Sequence, residues 1–360
     1  MKIRATIVLM FAACLFAVSV NNAGAVRLGP VDVHPYLEFK TVYDDNVFVL
    51  PDGQFMLDAK GKRVDRSDWY FLASPGMLVQ MGNETNAVEG EFRSDVYRYA
   101  NTGKANDVED YYLRLAGVFN KTGRLSVTAS DLGSRAHESR SSSNQAISGD
   151  ELNKYYANDL NLQMKYVINR SFDAAIDYKN YTIDYDLGES KYRDRMDNGV
   201  GLTLFYKYSP KTSILLEGIY KNVEHTNTTH RFTTAAPITD ISNKGNLDSK
   251  EYWLMTGLTW NITSKSIGTA KIGYEWKDFK AKGRSNFGSP IYQVSLAHKF
   301  TSKITMKVTG TRQANETDDP AVPYYTSTGA AAEISYFPLR KIEVKPYISD
   351  SYSMYAGKSR

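Results

Sequence analysis

Apolar and polar residues alternate along most of this chain, most plainly from Gly199 to Lys221, GVGLTLFYKYSPKTSILLEGIYK. Val200, Leu202, Leu204, Tyr206 and Tyr208 interleave with Gly201, Thr203, Phe205 and Lys207. After Ser209-Pro210-Lys211 the alternation resumes as Ile214, Leu216, Gly218 and Tyr220. Successive side chains of a β-strand point to opposite faces, so each half carries one apolar face. Pro210 cannot continue a hydrogen-bonded ladder and suits the turn between the halves. The pattern predicts a β-hairpin, and the rest of the chain repeats it. From Pro35 onward we read about fifteen such segments, each near the 9–11 residues that a tilted membrane strand requires.

The connections between segments carry the second signal. Short turns such as 82–86, 120–123, 169–170 and 301–303 alternate with long polar loops such as 44–66, 131–151, 224–249 and 313–323. A transmembrane barrel has short periplasmic turns and longer external loops, whereas a soluble sandwich has no reason to sort its connections by end. Tyr43, Tyr166, Tyr208, Trp260, Trp276, Phe300 and Tyr336 fall at segment ends, where an aromatic girdle would lie. The predicted fold is therefore all-β, an antiparallel transmembrane β-barrel of about 16 strands, the size at which a barrel begins to enclose an aqueous channel. With fifteen countable segments the first and last run in the same direction, so a sixteenth strand beyond the C-terminal end is expected. The register within Trp69–Met81, apolar on both faces and interrupted by Pro75-Gly76, is left open by the pattern.

The N-terminus adds a location. Lys2 and Arg4 precede an apolar run from Ala5 to Val20, followed by Ala23-Gly24-Ala25. This predicts a secretory signal peptide over residues 1–25, leaving 26–360 as a single barrel domain. Cys14 is the only cysteine and would leave with that peptide, so the mature chain has no disulfide and no thiol chemistry. The mean hydropathy of −0.43 fits a barrel in which only alternate residues face lipid. A net charge of +4, part of it from Lys2 and Arg4, gives no argument for nucleic acid as a partner.

Three patches in the first third go beyond a generic barrel. They are Val42-Tyr43-Asp44-Asp45-Asn46-Val47-Phe48, Ser67-Asp68 with Ser74-Pro75-Gly76, and Tyr97-x-Tyr99. Together they resemble the β-barrel porin type 2 family, which includes outer-membrane proteins from exopolysaccharide biosynthesis operons. The resemblance covers about Tyr36 to Tyr99 in specific motifs and implies a Gram-negative outer-membrane barrel, in some relatives tied to exopolysaccharide export. The lack of a terminal aromatic strand, the chain ending in Met354-Tyr355-Ala356-Gly357-Lys358-Ser359-Arg360, departs from that pattern.

The candidate chemistry lies in the lumen. Parity places Lys40, Arg93, Arg114, Lys165, Lys179, Lys207, Lys221, Lys271, Lys277, Lys299 and Lys307 inward, facing Glu38, Glu89, Glu91, Asp95, Asp159, Asp177, Glu217, Glu275 and Glu333. This is a mixed lining with a slight basic excess, and rings of charge bias which solutes pass. A path for anionic saccharides is one reading; mutual pairing of these charges across neighbouring strands is the other. Phe205, Leu215 and Ile219 point inward against the rule, as a plug contact or a register shift would require. Asp44-Asp45-Asn46 has oxygen ligands of the kind calcium takes, and His225 and His230 stand in one loop, but a polar turn and a solvated loop explain both. There is no nucleophile elbow, HExxH or Gly-rich phosphate loop, so neither a cofactor nor a metal is expected and an enzyme is not the first reading. The expected partners are outer-membrane lipid and, through the resemblance, a polysaccharide and periplasmic export machinery. A non-conducting binding barrel and a barrel hydrolase are the alternatives.

Overall fold

A computed structural model describes residues 18–19, 26–44, 47–48, 56–57, 63–138, 152–226, 247–263, 265–281, 285–316, 324–339 and 342–356. Its long strands are β1 (Val31–Asp44), β2 (Asp68–Gly82), β3 (Ala87–Tyr99), β4 (Val108–Phe119) and β5 (Leu125–His137). They continue with β6 (Lys154–Val167), β7 (Phe172–Tyr185), β8 (Arg195–Ser209), β9 (Thr212–His225) and β10 (Ser249–Thr263). The last are β11 (Ser266–Phe279), β12 (Phe287–Lys299), β13 (Ile304–Asn315), β14 (Tyr325–Leu339) and β15 (Tyr347–Tyr355). Each pairs antiparallel with the next, giving one sheet in chain order. The opening hairpin is β8–β9, with its turn at Pro210-Lys211 and an irregularity between Lys207 and Ser209 where the strand meets that turn. No helix among the described residues is long and apolar enough to cross a membrane. The chain crosses with strands.

The faces of the sheet are inverted relative to a soluble protein. On β8, Leu202 is 49% exposed while its neighbour Thr203 is 4% exposed. Apolar side chains thus line the outside, where hydrocarbon replaces water, and polar ones turn inward. Ring pairs reinforce both ends of the outer band. Tyr43 and Trp69 lie 5.1 Å apart on β1 and β2, and Phe172 and Tyr206 lie 5.3 Å apart on β7 and β8. Such cross-strand pairs contribute about 0.2–1 kcal/mol each, so the ladder is reinforced piecemeal.

Two expectations are revised. The short runs Val18–Ser19 and Val26–Leu28 pair antiparallel with the free edge of β1, and together they form a sixteenth position in the sheet. The additional strand thus lies before β1, partly inside the segment expected to leave as signal peptide, and no partner for the far edge of β15 is found among the described residues. The strands also run longer than the hydrophobic pattern: β5 continues to His137, and β8 begins at Arg195 within what reads as a loop. Beyond the bilayer both faces meet polar surroundings, so alternation fades while the ladder continues.

The segment around Pro75-Gly76 is a single strand, with Leu37 opposite Pro75 and Tyr36 opposite Gly76. The pairing of β2 to β3 resumes at Gly76–Arg93 after Ala73–Val96, consistent with the donor that Pro75 lacks. Gly76 leaves room for the Tyr36 ring to lie across it: an added Cβ would sit 2.2 Å from that ring and push it aside. That placement lets the Tyr36 hydroxyl donate to Glu91 at 2.5 Å. Asp68, 1% exposed, accepts from the amides of Trp69, Asn101 and Thr102 and from the Thr102 hydroxyl at 2.7 Å. It pins the loop 100–107 over the outer end of β2.

Candidate functional site

Directly paired residues of an antiparallel ladder share a face, so the register traces the inner wall. One row runs Gln80, Glu89, Ala116, Ser130, Asn161, Lys179, Gly199, Lys221, Glu251, Lys277, crossing β2 through β11. Lys40, Arg93, Arg114, Lys165, Lys179, Lys221, Lys271, Lys277, Lys299, Glu38, Asp95, Asp159, Asp177, Glu217 and Glu275 all share that face by the same register.

Most of these charges are paired. Lys271 meets Glu217 at 2.7 Å, Arg93 meets Asp95 at 3.2 Å, and Arg114 meets Glu89. Asp173 sits between Lys165 at 3.3 Å and Lys207 at 2.6 Å. Glu251 bridges Lys221 at 2.7 Å and Lys277 at 2.6 Å, and Lys277 also holds Glu316. Asp177 accepts from Gln163 and Asp159 from Asn161, while Lys40 and Glu38 make only a long, half-exposed contact of 3.9 Å. Lys179 and Lys299 make no ion pair among the described residues. The register also brings Asp110, Asp173, Asp197 and Glu251 to this face against one further cation, Arg195. The slight basic excess expected from the sequence therefore disappears. Parity missed Asp197 and Arg195 because the polar outer end of β8 reads as loop.

Phe205, Leu215 and Ile219 do face inward, with no slip in the β8–β9 register between Arg195 and Lys207. They belong to a small apolar patch with Met255 and Ile291, each 1% exposed, on β10 and β12. Just outward of this patch lies the Lys221–Glu251–Lys277–Glu316 network. Glu316 follows β13 and the Ala314 amide donates to Glu275 at 3.0 Å, so the outer end of β13 leans over toward β11. These four side chains form a buried network of paired charge on the inner face.

The opposite wall is different, and nothing in the alternation of the sequence singled it out. Tyr70, Tyr97, Tyr112, Tyr155 and Tyr181, from β2, β3, β4, β6 and β7, are half-buried on the inner face near its outer end. The Tyr70 ring lies 6.0 Å from that of Tyr97 and 5.0 Å from that of Tyr99. Arg93 lies 4.7 Å from the Tyr112 ring and Arg195 5.5 Å from that of Tyr181. Between them Asp95 and Asp110 face one another across β3 and β4. Like charges directly opposite are unfavourable; here Arg93 pairs with Asp95 at 3.2 Å and the His137 ring hydrogen-bonds Asp110 at 2.9 Å. At the mouth, Arg193 grips Glu138 through two nitrogens and also donates to the Tyr185 hydroxyl at 2.7 Å. Burial alone would lower the Arg193 pKa, yet the Glu138 carboxylate outweighs it and the value is raised.

The remaining sequence candidates do not assemble. Asp44 ends β1 opposite Asp68, and Asp45, Asn46 and His230 lie outside the described residues. His225 receives no metal partner: its amide donates to Asp248 at 2.7 Å. No group of three or more His, Cys, Asp or Glu suited to a metal is present among the described residues.

Comparison with known proteins follows the same direction. A family model described as putative beta-barrel porin 2 matches residues 22–359. No curated protein sequence matches the chain. Among solved structures, a bacterial polysaccharide outer membrane secretin is similar at 11% identity over 94% of this chain and 95% of that one, with a TM-score of 0.43. The FrpB iron transporter of Neisseria meningitidis (F5-1 variant) is similar at 9% identity, covering 92% of this chain and 60% of that one, with a TM-score of 0.49. The siderophore receptor PiuA of Acinetobacter baumannii is similar at 7% identity, covering 94% and 63%, with a TM-score of 0.45. The chain thus spans less than two thirds of the length of the last two.

Proposed function

Since the chain belongs to the putative beta-barrel porin 2 family and is an outer-membrane β-barrel, we propose that its lumen is a water-filled passage serving the export of exopolysaccharide. The observation that carries this reading is the character of the inner wall. It is largely polar, most of its charges are paired, and even the apolar Leu132 on this face remains 38% exposed, as an aqueous interior permits. Asn161, Gln163 and Ser130 between the ion pairs offer donors and acceptors to a hydroxyl-rich chain without trapping it by charge. The short turns end the barrel on its periplasmic side, where export machinery would deliver the polymer, and the longer loops surround the exit.

The test is single-channel recording in planar bilayers with purified, heat-modifiable barrel. Stable unitary conductance supports the reading. A fully folded barrel that yields no channels would overturn it in favour of a non-conducting binding barrel.

A further inference from the structure

We infer that a groove on the outer wall of β3–β8 holds a membrane lipid, with an acyl chain in the groove and the lipid's phosphate on Arg135 and Lys154. The site lies on the lipid-facing side of the sheet and does not depend on what the lumen carries. Tyr111, Arg135 and Tyr156 form one outward row across β4–β6, and Leu113, Gly133 and Asn158 form the next row toward the periplasm. Gly133 has no side chain to fill its place in the second row. A groove of about 610 Å³ runs between the rows, its lining extending from Phe92 on β3 to Met196 on β8. Phe92, Tyr111, Leu113 and Tyr156 are exposed along it, on the face that meets hydrocarbon. From Tyr166, near the periplasmic end of β6, to Tyr156 is one membrane crossing, about 9–11 residues of tilted strand. Tyr156 thus marks the outer boundary of the hydrocarbon, with the groove just inside it and lipid headgroups just outside.

The charge at that boundary selects the headgroup. Arg135 lies 5.2 Å from the Tyr156 ring, and neither it nor Lys154 makes an ion pair among the described residues. The register sets Arg135 opposite Tyr156 and His137 opposite Lys154. The two cations are therefore diagonal neighbours on one face, about 7–8 Å apart along the ladder. A phosphate presents several charged oxygens and can bridge two such donors. The carboxylates nearby are engaged elsewhere. Glu109 takes Arg98 and the Tyr111 hydroxyl, Asp184 takes Lys191, and Asp131, one row further toward the periplasm, accepts from Asn158 at 2.7 Å. Arg135 and Lys154 remain to receive an anionic headgroup.

The experiment titrates the detergent-solubilised barrel with dilauroyl phosphatidate and with dilauroylglycerol, which has the same chains and no phosphate. Calorimetry gives the affinity and native mass spectrometry the stoichiometry, with every variant compared as folded, heat-modifiable barrel. The phosphatidate is expected to bind saturably, one per barrel, and the diacylglycerol at least about tenfold more weakly. Arg135→Gln with Lys154→Gln should erase that difference by weakening the phosphatidate alone. Gly133→Leu fills the groove and should weaken both lipids at least about tenfold. The ladder tolerates this change, because an added Cβ at Gly133 meets nothing closer than the Leu113 carbonyl oxygen at 3.9 Å. Lys211→Gln, at an exposed position in the β8–β9 turn, removes one charge away from the groove and should leave both affinities within about twofold. Equal binding of the two lipids, or phosphatidate held as tightly by the double variant, overturns the inference. Unaltered binding by Gly133→Leu, or uptake of phosphatidate without saturation, overturns it as well. A dimer on size-exclusion chromatography that Gly133→Leu dissociates would assign the groove to a second copy of the chain and overturn the lipid site. None of these measurements depends on conductance, so the site and the passage stand or fall separately.

Discussion

Replacing Lys277 with methionine tests the reading of the buried charge network most directly. The Lys277 side chain is 1% exposed and holds Glu251, 3% exposed, at 2.6 Å, together with Glu316, 8% exposed. Methionine conserves much of the volume and removes only the charge. Glu251 keeps Lys221 at 2.7 Å, so one carboxylate, Glu316, loses its cation. Removing one partner of a buried pair costs about 3–5 kcal/mol. The surviving Lys221 contact sets the expectation near the low end, about 3 kcal/mol. The control is Lys40→Met, which removes a 3.9 Å contact to Glu38 with the two side chains 41% and 45% exposed. That change should cost less than about 1 kcal/mol. Urea unfolding of both variants in phospholipid vesicles, read by tryptophan fluorescence, measures the difference. Adding Glu316→Gln to Lys277→Met should restore most of the lost stability, because the stranded carboxylate is what makes the single change expensive. If Lys277→Met and Lys40→Met unfold within about 0.5 kcal/mol of one another, the network is not a desolvated one and the reasoning fails.

Three other consequences are checked more simply. Leu162 and Asn161 are neighbours on β6 with opposite facing, so Leu162→Arg should destabilise the barrel by about 2–4 kcal/mol and Asn161→Arg by less than about 1 kcal/mol, again by unfolding in vesicles. Because the inner wall carries no basic excess, the reversal potential under a KCl gradient should lie near zero, and Asp173→Asn with Asp197→Asn should move it toward anion selectivity; strong anion selectivity of the parent would contradict the inner-face assignment. Asp248, just before β10, is pushed up by burial but held below its ordinary value of 3.8 by the bonds it receives from His225. A depressed carboxylate stabilises fully above its unfolded pKa and loses that contribution as pH falls through the folded value. The loss of stability on lowering the pH from about 5 to about 3, read by urea unfolding in vesicles, should therefore be smaller in Asp248→Asn than in the parent.

The fold was legible because lipid outside and water inside impose a two-residue period on each strand, and because turn chemistry such as Ser209-Pro210-Lys211 marks the hairpin ends. Strand extent was less legible. Arg195, Met196 and Asp197 carry no alternation, yet they pair with Ile183, Thr182 and Tyr181, since hydrogen bonding continues where the hydrophobic signal has stopped. The N-terminal run beside β1 was hidden for a different reason. Val18–Ser19 sits within an apolar stretch that reads equally well as the core of a signal peptide.

The site shows why face is easier to read than partnership. Parity carries one bit per residue, inward or outward, and it sufficed for Lys271 and Lys277. Whether a charge is free depends on the register of two neighbouring strands. The loops joining strands do not report that register: Glu217 and Lys271 meet from positions 54 residues apart. The tyrosines were invisible for a related reason. A tyrosine satisfies either face of such a wall, with its ring toward lipid or its hydroxyl toward water, so its identity does not disclose its side. Tyr111 and Tyr112 are adjacent in sequence, one turned outward and the other inward beneath Arg93. Only the ladder, which sets Tyr112 opposite Arg93 on one flank and Ser134 on the other, decides between them.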